Sequence, residues 1–184
     1  KIKNLVKKVG PTSSRVLIYG ESGTGKDLIA KEIHLNSKYK DGPFIVVNAA
    51  LLSPENIELE LFGSKLDKTV KKGLFEKSEN GTLFIDEIGE MPLQTQAKIL
   101  RVLTDKNFYR LEDETIVPVS SRIICSSTEN LSKLVEDGSF RKDLFHRINV
   151  VTILLPRLVE RIGDMDLLID HFSSFFSRLN KVSN

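Results

Sequence analysis

Residues 16–26 read Val16-Leu17-Ile18-Tyr19-Gly20-Glu21-Ser22-Gly23-Thr24-Gly25-Lys26, a short apolar run that breaks into a glycine-rich turn and ends on a lysine. A helical pattern starts at Asp27. Strand, glycine-rich turn, lysine, helix is the context in which a P-loop works. The glycines let backbone N–H groups close around phosphate oxygens, the helix N-terminus adds partial positive charge, and Lys26 reaches the outer phosphates. Such a turn can also be purely structural; the lysine at its end is what points to phosphate. The candidate cofactor-binding set is therefore Gly20, Glu21, Ser22, Gly23, Thr24, Gly25, Lys26 and Asp27. A P-loop usually places Ser or Thr after the lysine as a magnesium ligand. Here Asp27 stands instead, able either to hold a metal-bound water or to repel the phosphates.

Outward from this turn, apolar runs alternate with helical patterns. Val16–Tyr19, Phe44–Val47, Leu83–Ile85, Arg122–Cys125 and Val150–Leu155 read as buried strands. Residues 27–37, 54–62, 94–104, 131–136 and 140–148 read as helices. Strand followed by helix, repeated, predicts an α/β fold with a mainly parallel five-stranded sheet, helices on both faces, and ligands at the carboxyl ends of the strands. A last amphipathic helix is expected over about 164–179, with its phenylalanines packed on the body or on a following domain. Residues 156–163 are the expected joint before it.

The third strand ends in Leu83-Phe84-Ile85-Asp86-Glu87. Two carboxylates after a buried strand are often only the start of a loop. Beside a P-loop they suit a metal-and-water site, with Asp86 on magnesium and Glu87 on the attacking water.

Composition narrows the alternatives. With 40% hydrophobic and 28% charged residues, the 184-residue chain can bury an ordinary core, so disordered and fibrous classes drop out. Lys and Arg number 27 against 25 Asp and Glu, and a net charge of +2 gives no global reason to bind nucleic acid or an anionic membrane. The single cysteine, Cys125, excludes an internal disulfide and a cysteine-based zinc site. No apolar run is long enough for a membrane helix and no signal peptide is evident, so the expectation is a cytoplasmic protein. His34, His146 and His171 lack metal-ligand spacing and are expected at the surface or in packing. No serine sits in a nucleophile elbow. The nearest match to the guanine-reading Asn-Lys-x-Asp is Asn180-Lys181-Val182-Ser183, without the aspartate, so ATP is favoured over GTP. Because it opens with Lys1 and stops at Asn184, the chain is read as a piece of something longer.

The P-loop continued by Asp27-Leu28-Ile29-Ala30, with Gly42-Pro43-Phe44, Glu60-Leu61-Phe62-Gly63, Gly81-Thr82-Leu83-Phe84-Ile85-Asp86-Glu87-Ile88-Gly89 and Phe140-Arg141-Lys142-Asp143-Leu144, closely resembles the central AAA+ ATPase domain of sigma-54-dependent activators, the NtrC class. The resemblance covers about residues 9–170. In that family Glu commonly follows the P-loop lysine, so Asp27 becomes a conservative variant. The resemblance implies ATP and Mg2+ as cofactors, Lys26 on phosphate, Asp86 on magnesium and Glu87 activating water. It also implies that Arg141 and Arg147 reach the γ-phosphate of a neighbouring subunit in a ring of identical chains. Six residues apart on one helix, these arginines would point to different sides. Residues 1–157 would then form the AAA+ core, and 158–184 a linker with the first helix of a lid. A receiver domain answering a sensor histidine kinase and a DNA-binding domain would lie outside the chain.

The departures matter as much. Activators of sigma-54 carry Gly-Ala-Phe-Thr-Gly-Ala between the Glu-Leu-Phe-Gly and Gly-x-Phe-Glu segments. Here Gly63 leads through Ser64-Lys65-Leu66-Asp67-Lys68-Thr69-Val70-Lys71-Lys72 to Gly73-Leu74-Phe75-Glu76, a shorter, lysine-rich connection without that motif. Its plain reading is a solvated loop, with a phosphate or nucleic-acid contact as the alternative. The shortening resembles the NtrX branch and implies no conventional contact with sigma-54. The fourth strand, which in the family ends on a γ-phosphate-sensing Asn, gives Cys125-Ser126-Ser127-Thr128, so the shorter Thr128 stands at the sensing position. An arginine the family often has is Val159 here. Two readings follow: a magnesium-dependent ring ATPase that remodels a transcription partner, or a nucleotide-gated oligomerisation module of a DNA-binding regulator with little hydrolysis.

Overall fold

In the computed structural model, residues 2–161 are described, together with 170, 173 and 174; the rest of the helix expected over 164–179, and of the lid, lies outside them. Helix α1 (Ile2–Val9) leads to β1 (Val16–Tyr19), and the glycine-rich turn to α2 (Lys26–Leu35). Then come β2 (Phe44–Asn48), α3 (Pro54–Phe62), a hairpin of β3 (Gly63–Leu66) and β4 (Thr69–Lys72), and α4 (Leu74–Lys77). Strand β5 (Thr82–Asp86) is followed by α5 (Leu93–Asp105) and a second hairpin, β6 (Asn107–Tyr109) with β7 (Ile116–Pro118). Strand β8 (Arg122–Ser127), α6 (Leu131–Glu136), α7 (Lys142–Ile148) and β9 (Val151–Leu154) complete the core.

The central sheet has five strands in the order β2-β5-β8-β1-β9, all pairings parallel. The five strands expected from the apolar runs are these five. Parallel strands buried on both faces carry apolar side chains on consecutive positions. In β1, Leu17 packs on one side with Ile57, Leu83, Ile99 and Leu144, while Val16 and Ile18 pack on the other with Val6, Ala30 and Ile33. Helices α1 and α2 therefore cover one face and α3, α5 and α7 the other.

The lysine-rich connection after Gly63 is a hairpin rather than a loop. Gly63 has φ +71, and a Cβ there would lie 2.1 Å from the Lys71 carbonyl oxygen, so the hairpin can close only on glycine. Lys65 donates its N–H to Leu111 O, and Leu111 donates to Gly63 O, both at 3.0 Å, so the two hairpins are joined through their backbones. Arg110 reinforces the join with a fork on Glu76 at 2.7 and 2.9 Å and a bond to Asp113 at 2.9 Å. Arg122, 3% exposed, fastens α1 by donating to the carbonyls of Val9, Gly10 and Ser14.

Candidate active site

β1 delivers the chain into the glycine turn at the carboxyl edge of the sheet. Gly25, the residue before α2, sits at φ 88, ψ 35, left-handed backbone that costs glycine nothing and lets the helix begin at Lys26. Thr24 closes the turn from within, its hydroxyl donating to Glu21 O at 2.7 Å. Lys26 is 7% exposed because its side chain folds back beneath the turn. There its Nζ lies 2.9 Å from each of three oxygens: Gly20 O, Thr128 Oγ1 and Glu87 Oε1. Asp27 is exposed in the first turn of α2, where a carboxylate is favoured by the helix dipole.

Asp86 ends β5 and Glu87 follows at φ 53, ψ 51. Left-handed backbone at a non-glycine residue is uncommon and concentrates at functional sites. Here it turns the Glu87 carboxylate toward Lys26. Thr128 donates its N–H to Glu87 Oε2 at 2.8 Å and its hydroxyl to Oε1. Burial works to raise the Glu87 carboxyl, but the bonds from Thr128 and Lys26 outweigh it and hold the group below the ordinary glutamate range. Asp86 is oriented separately: Asn48 Nδ2 donates to its Oδ2 at 2.8 Å, and the Ser126 hydroxyl donates to Oδ1. Asn48 and Asp86 are register partners across β2 and β5, so the sheet itself sets this pair.

Lys26, Asp86, Glu87 and Thr128 are thus brought to one edge of the sheet, and Thr128, for all its short side chain, reaches both Lys26 and Glu87. The arginines are not part of that cluster. Arg141 is not on a helix: it precedes α7 with extended backbone at φ −73, ψ 128, which removes the expected six-residue helical separation from Arg147. Its guanidinium forks Asp143 at 2.8 and 3.1 Å, and its N–H donates to Gln96 Oε1 at 2.8 Å. Arg147, near the end of α7, donates to Leu103 O at 3.3 Å. The N–H of Val151, where β9 begins, bonds to Arg15 O just before β1, so Arg147 belongs to the amino-terminal end of the sheet. The P-loop belongs to the opposite end.

Two residues join the site without a sequence signal of their own, Asn48 and Ser126, while the fully buried Gln96, whose Nε2 donates to Met91 O at 2.8 Å and Ser139 O at 3.0 Å, holds Arg141 instead. After β9, Arg157 pairs with Glu21 at 3.1 Å and Arg161 donates to Thr24 O at 3.3 Å, so the chain returns to the glycine turn. Val159, where the family often has arginine, is 76% exposed. His34 is buried against Phe44 with its Nδ1 2.9 Å from Thr82 Oγ1, a packing role. Among the described residues no helix is long and apolar enough to cross a membrane, and no group of three or more His, Cys, Asp and Glu side chains could hold a metal by itself.

Residues 1–154 match the family described as the Sigma-54 interaction domain. The chain is 46% identical over 179 residues to the regulatory protein AtoC of Escherichia coli, covering 95% of this chain and 39% of AtoC. It is 44% identical over 179 residues to the nitrogen assimilation regulatory protein NtrX of Azorhizobium caulinodans, covering 96% of this chain and 39% of that protein. The crystal structure of NtrX from Brucella abortus in complex with ADP superposes with a TM-score of 0.94 at 41% identity, over 99% of this chain and 41% of that one. The same protein in complex with ATP gives 0.90 at 42% identity, over 96% of this chain and 41% of that one. The chain thus spans about two fifths of the length of these relatives. With a P-loop before α2, paired carboxylates after β5 and agreement along nearly its whole length, it belongs to the sigma-54 interaction domain family of AAA+ domains, close to the NtrC and NtrX regulators.

Proposed function

We propose that this chain binds ATP and hydrolyses it as the AAA+ unit of a two-component transcriptional regulator, in a ring of identical subunits. The observation that carries this reading is the Lys26–Glu87 pair beneath the glycine turn, at 2.9 Å and screened from solvent. ATP in the turn draws Lys26 onto its outer phosphates and away from Glu87. Glu87, ionised because its carboxyl is held low, then takes a proton from the attacking water. The water oxygen bonds to the γ-phosphorus, the bond to the bridging oxygen breaks, and ADP and phosphate leave. Mg2+ would neutralise developing charge on the phosphate oxygens. Asp86 suits it: one oriented carboxylate beside a phosphate site is the donor set that magnesium takes in nucleotide enzymes. Arg147, at the end of the sheet opposite its own P-loop, and Arg141, paired with Asp143 and Gln96 rather than with Lys26 or Glu87, act on a neighbour's nucleotide.

The nine residues between Gly63 and Gly73 form a closed hairpin tied to β6–β7, with no Gly-Ala-Phe-Thr-Gly-Ala, which supports a partner other than sigma-54 polymerase. DNA binding and the response to a sensor kinase belong to domains outside this chain. A second reading, nucleotide-gated assembly with little hydrolysis, is favoured by one observation: Thr128 engages both oxygens of Glu87. Calorimetric titration with ATP, ADP and GTP tests the common part. ATP and ADP should bind in preference to GTP and Lys26→Ala should abolish binding; equal binding by Lys26→Ala would remove the P-loop reading.

A further inference from the structure

At the amino-terminal end of the sheet, Arg15 and Arg147 converge on one acceptor. Arg15 donates to the carbonyl oxygen of Leu103 at 3.4 Å and Arg147 to the same oxygen at 3.3 Å. Lys106 ends that helix in left-handed backbone, φ 58, ψ 28. Burial is the largest influence lowering both Arg15 and Lys106; Arg147 lowers both further, and Arg15 lowers Lys106. Among the described residues none of the three pairs with a carboxylate within 4.0 Å. The buried Cys125 thiol, pushed up to about 12 by burial, offers no charge.

Capping the C-terminus of α5 accounts for only part of this cluster. A helix C-terminus presents roughly half a negative charge. Three full positive charges leave an excess of about two and a half, held together against their repulsion. Each guanidinium has five N–H donors, and Leu103 O takes one from each. The remainder suits a polyphosphate. It cannot be the chain's own nucleotide, because the P-loop lies at the other end of β1, a strand of about 13 Å. In a head-to-tail ring two different surfaces of the chain meet, so a subunit's P-loop side is met by a surface of its neighbour other than that neighbour's own P-loop side.

On the ring assembly inferred above, we propose that Arg15 and Lys106 join Arg147 in a cationic face that receives the polyphosphate of a nucleotide bound to a second copy of this chain. Arg15→Gln and Lys106→Gln, singly and combined, test it with three readouts: melting temperature, self-association with a non-hydrolysable ATP analogue against ADP, and ATP turnover alone and mixed with Lys26→Ala. The melting temperature should hold or rise, since like charges are removed. Analogue-driven association and turnover should each fall about tenfold, the loss of one charge-assisted contact in the assembled state. Mixing should restore part of the turnover, because Lys26→Ala subunits lend an intact cationic face to a neighbour whose P-loop works. A lowered melting temperature with no recovery on mixing would reduce the cluster to a helix cap and overturn the proposal. A parent that neither turns over ATP nor associates with the analogue removes the ring and this face with it. A parent that does both, matched by the double variant, overturns this face alone.

Discussion

Thr128 binds Glu87 through both carboxylate oxygens, its N–H to Oε2 at 2.8 Å and its hydroxyl to Oε1, while the same hydroxyl lies 2.9 Å from Lys26 Nζ. One short side chain therefore restrains the proposed general base, Glu87, and the lysine proposed to bind phosphate together. An Asn at this position extends one carbon further, reaching toward a γ-phosphate and giving up the hydroxyl that ties Lys26 to Glu87. Thr128→Asn should raise turnover at saturating ATP about threefold or more, a modest share of what a positioned general base contributes. Single-turnover kinetics of the two proteins check it.

The lowered Glu87 carboxyl fixes a pH dependence. A depressed carboxylate stabilises the fold above its unfolded value, near the ordinary 4.5, and that contribution disappears as pH falls through the lower folded value. Glu87→Gln should flatten the dependence of stability on pH in this acid window and leave neutral-pH behaviour to the other groups. Urea midpoints across the acid range, parent against variant, measure it.

Gln96 is fully buried and divides its amide between two carbonyls, Met91 O and Ser139 O, and the Arg141 N–H. It carries the position of Arg141 from α5 to the start of α7. Gln96→Leu leaves three backbone groups without partners and should cost about 2–4 kcal/mol. Turnover in the assembled state should fall while ATP affinity stays, a split that titration and kinetics resolve together.

Arg122 has no carboxylate partner among the described residues; the carbonyls that end α1 receive its charge instead. Arg122→Met would strand the carbonyls of Gly10 and Ser14, Val9 O keeping its bonds from Thr12, and should destabilise by about 2–3 kcal/mol. α1 should lose its amide protection first in hydrogen exchange, because this guanidinium fastens it to β8.

The central strands are legible because parallel strands buried on both faces leave unbroken apolar runs such as Leu83-Phe84-Ile85. The hairpins are not. β4 is exposed along its whole length and β3 runs from buried Gly63 through half-buried residues to exposed Leu66, so neither shows alternation, and β6 and β7 have three residues each. Helix α1 does carry a signal, Ile2, Leu5, Val6 and Val9 at helical spacing, in a stretch too short to stand out. In the site, Lys26, Asp86 and Glu87 can be found because each sits beside its neighbours in sequence. Asn48, Ser126 and Gln96 cannot, because their partners are set by strand register and by the packing of α5 on the loop before α7.

ATP turnover per subunit across a wide range of protein concentration, with Glu87→Gln beside the parent, bears most directly on the proposed ring ATPase. Turnover should climb with concentration as neighbours bring their cationic faces to each nucleotide. Glu87→Gln should bind ATP at least as tightly, its lysine released from the ion pair, while turnover drops by about 10²–10⁴. Turnover that stays at background at every concentration, with ATP binding intact, would contradict the account and leave a nucleotide-gated assembly module.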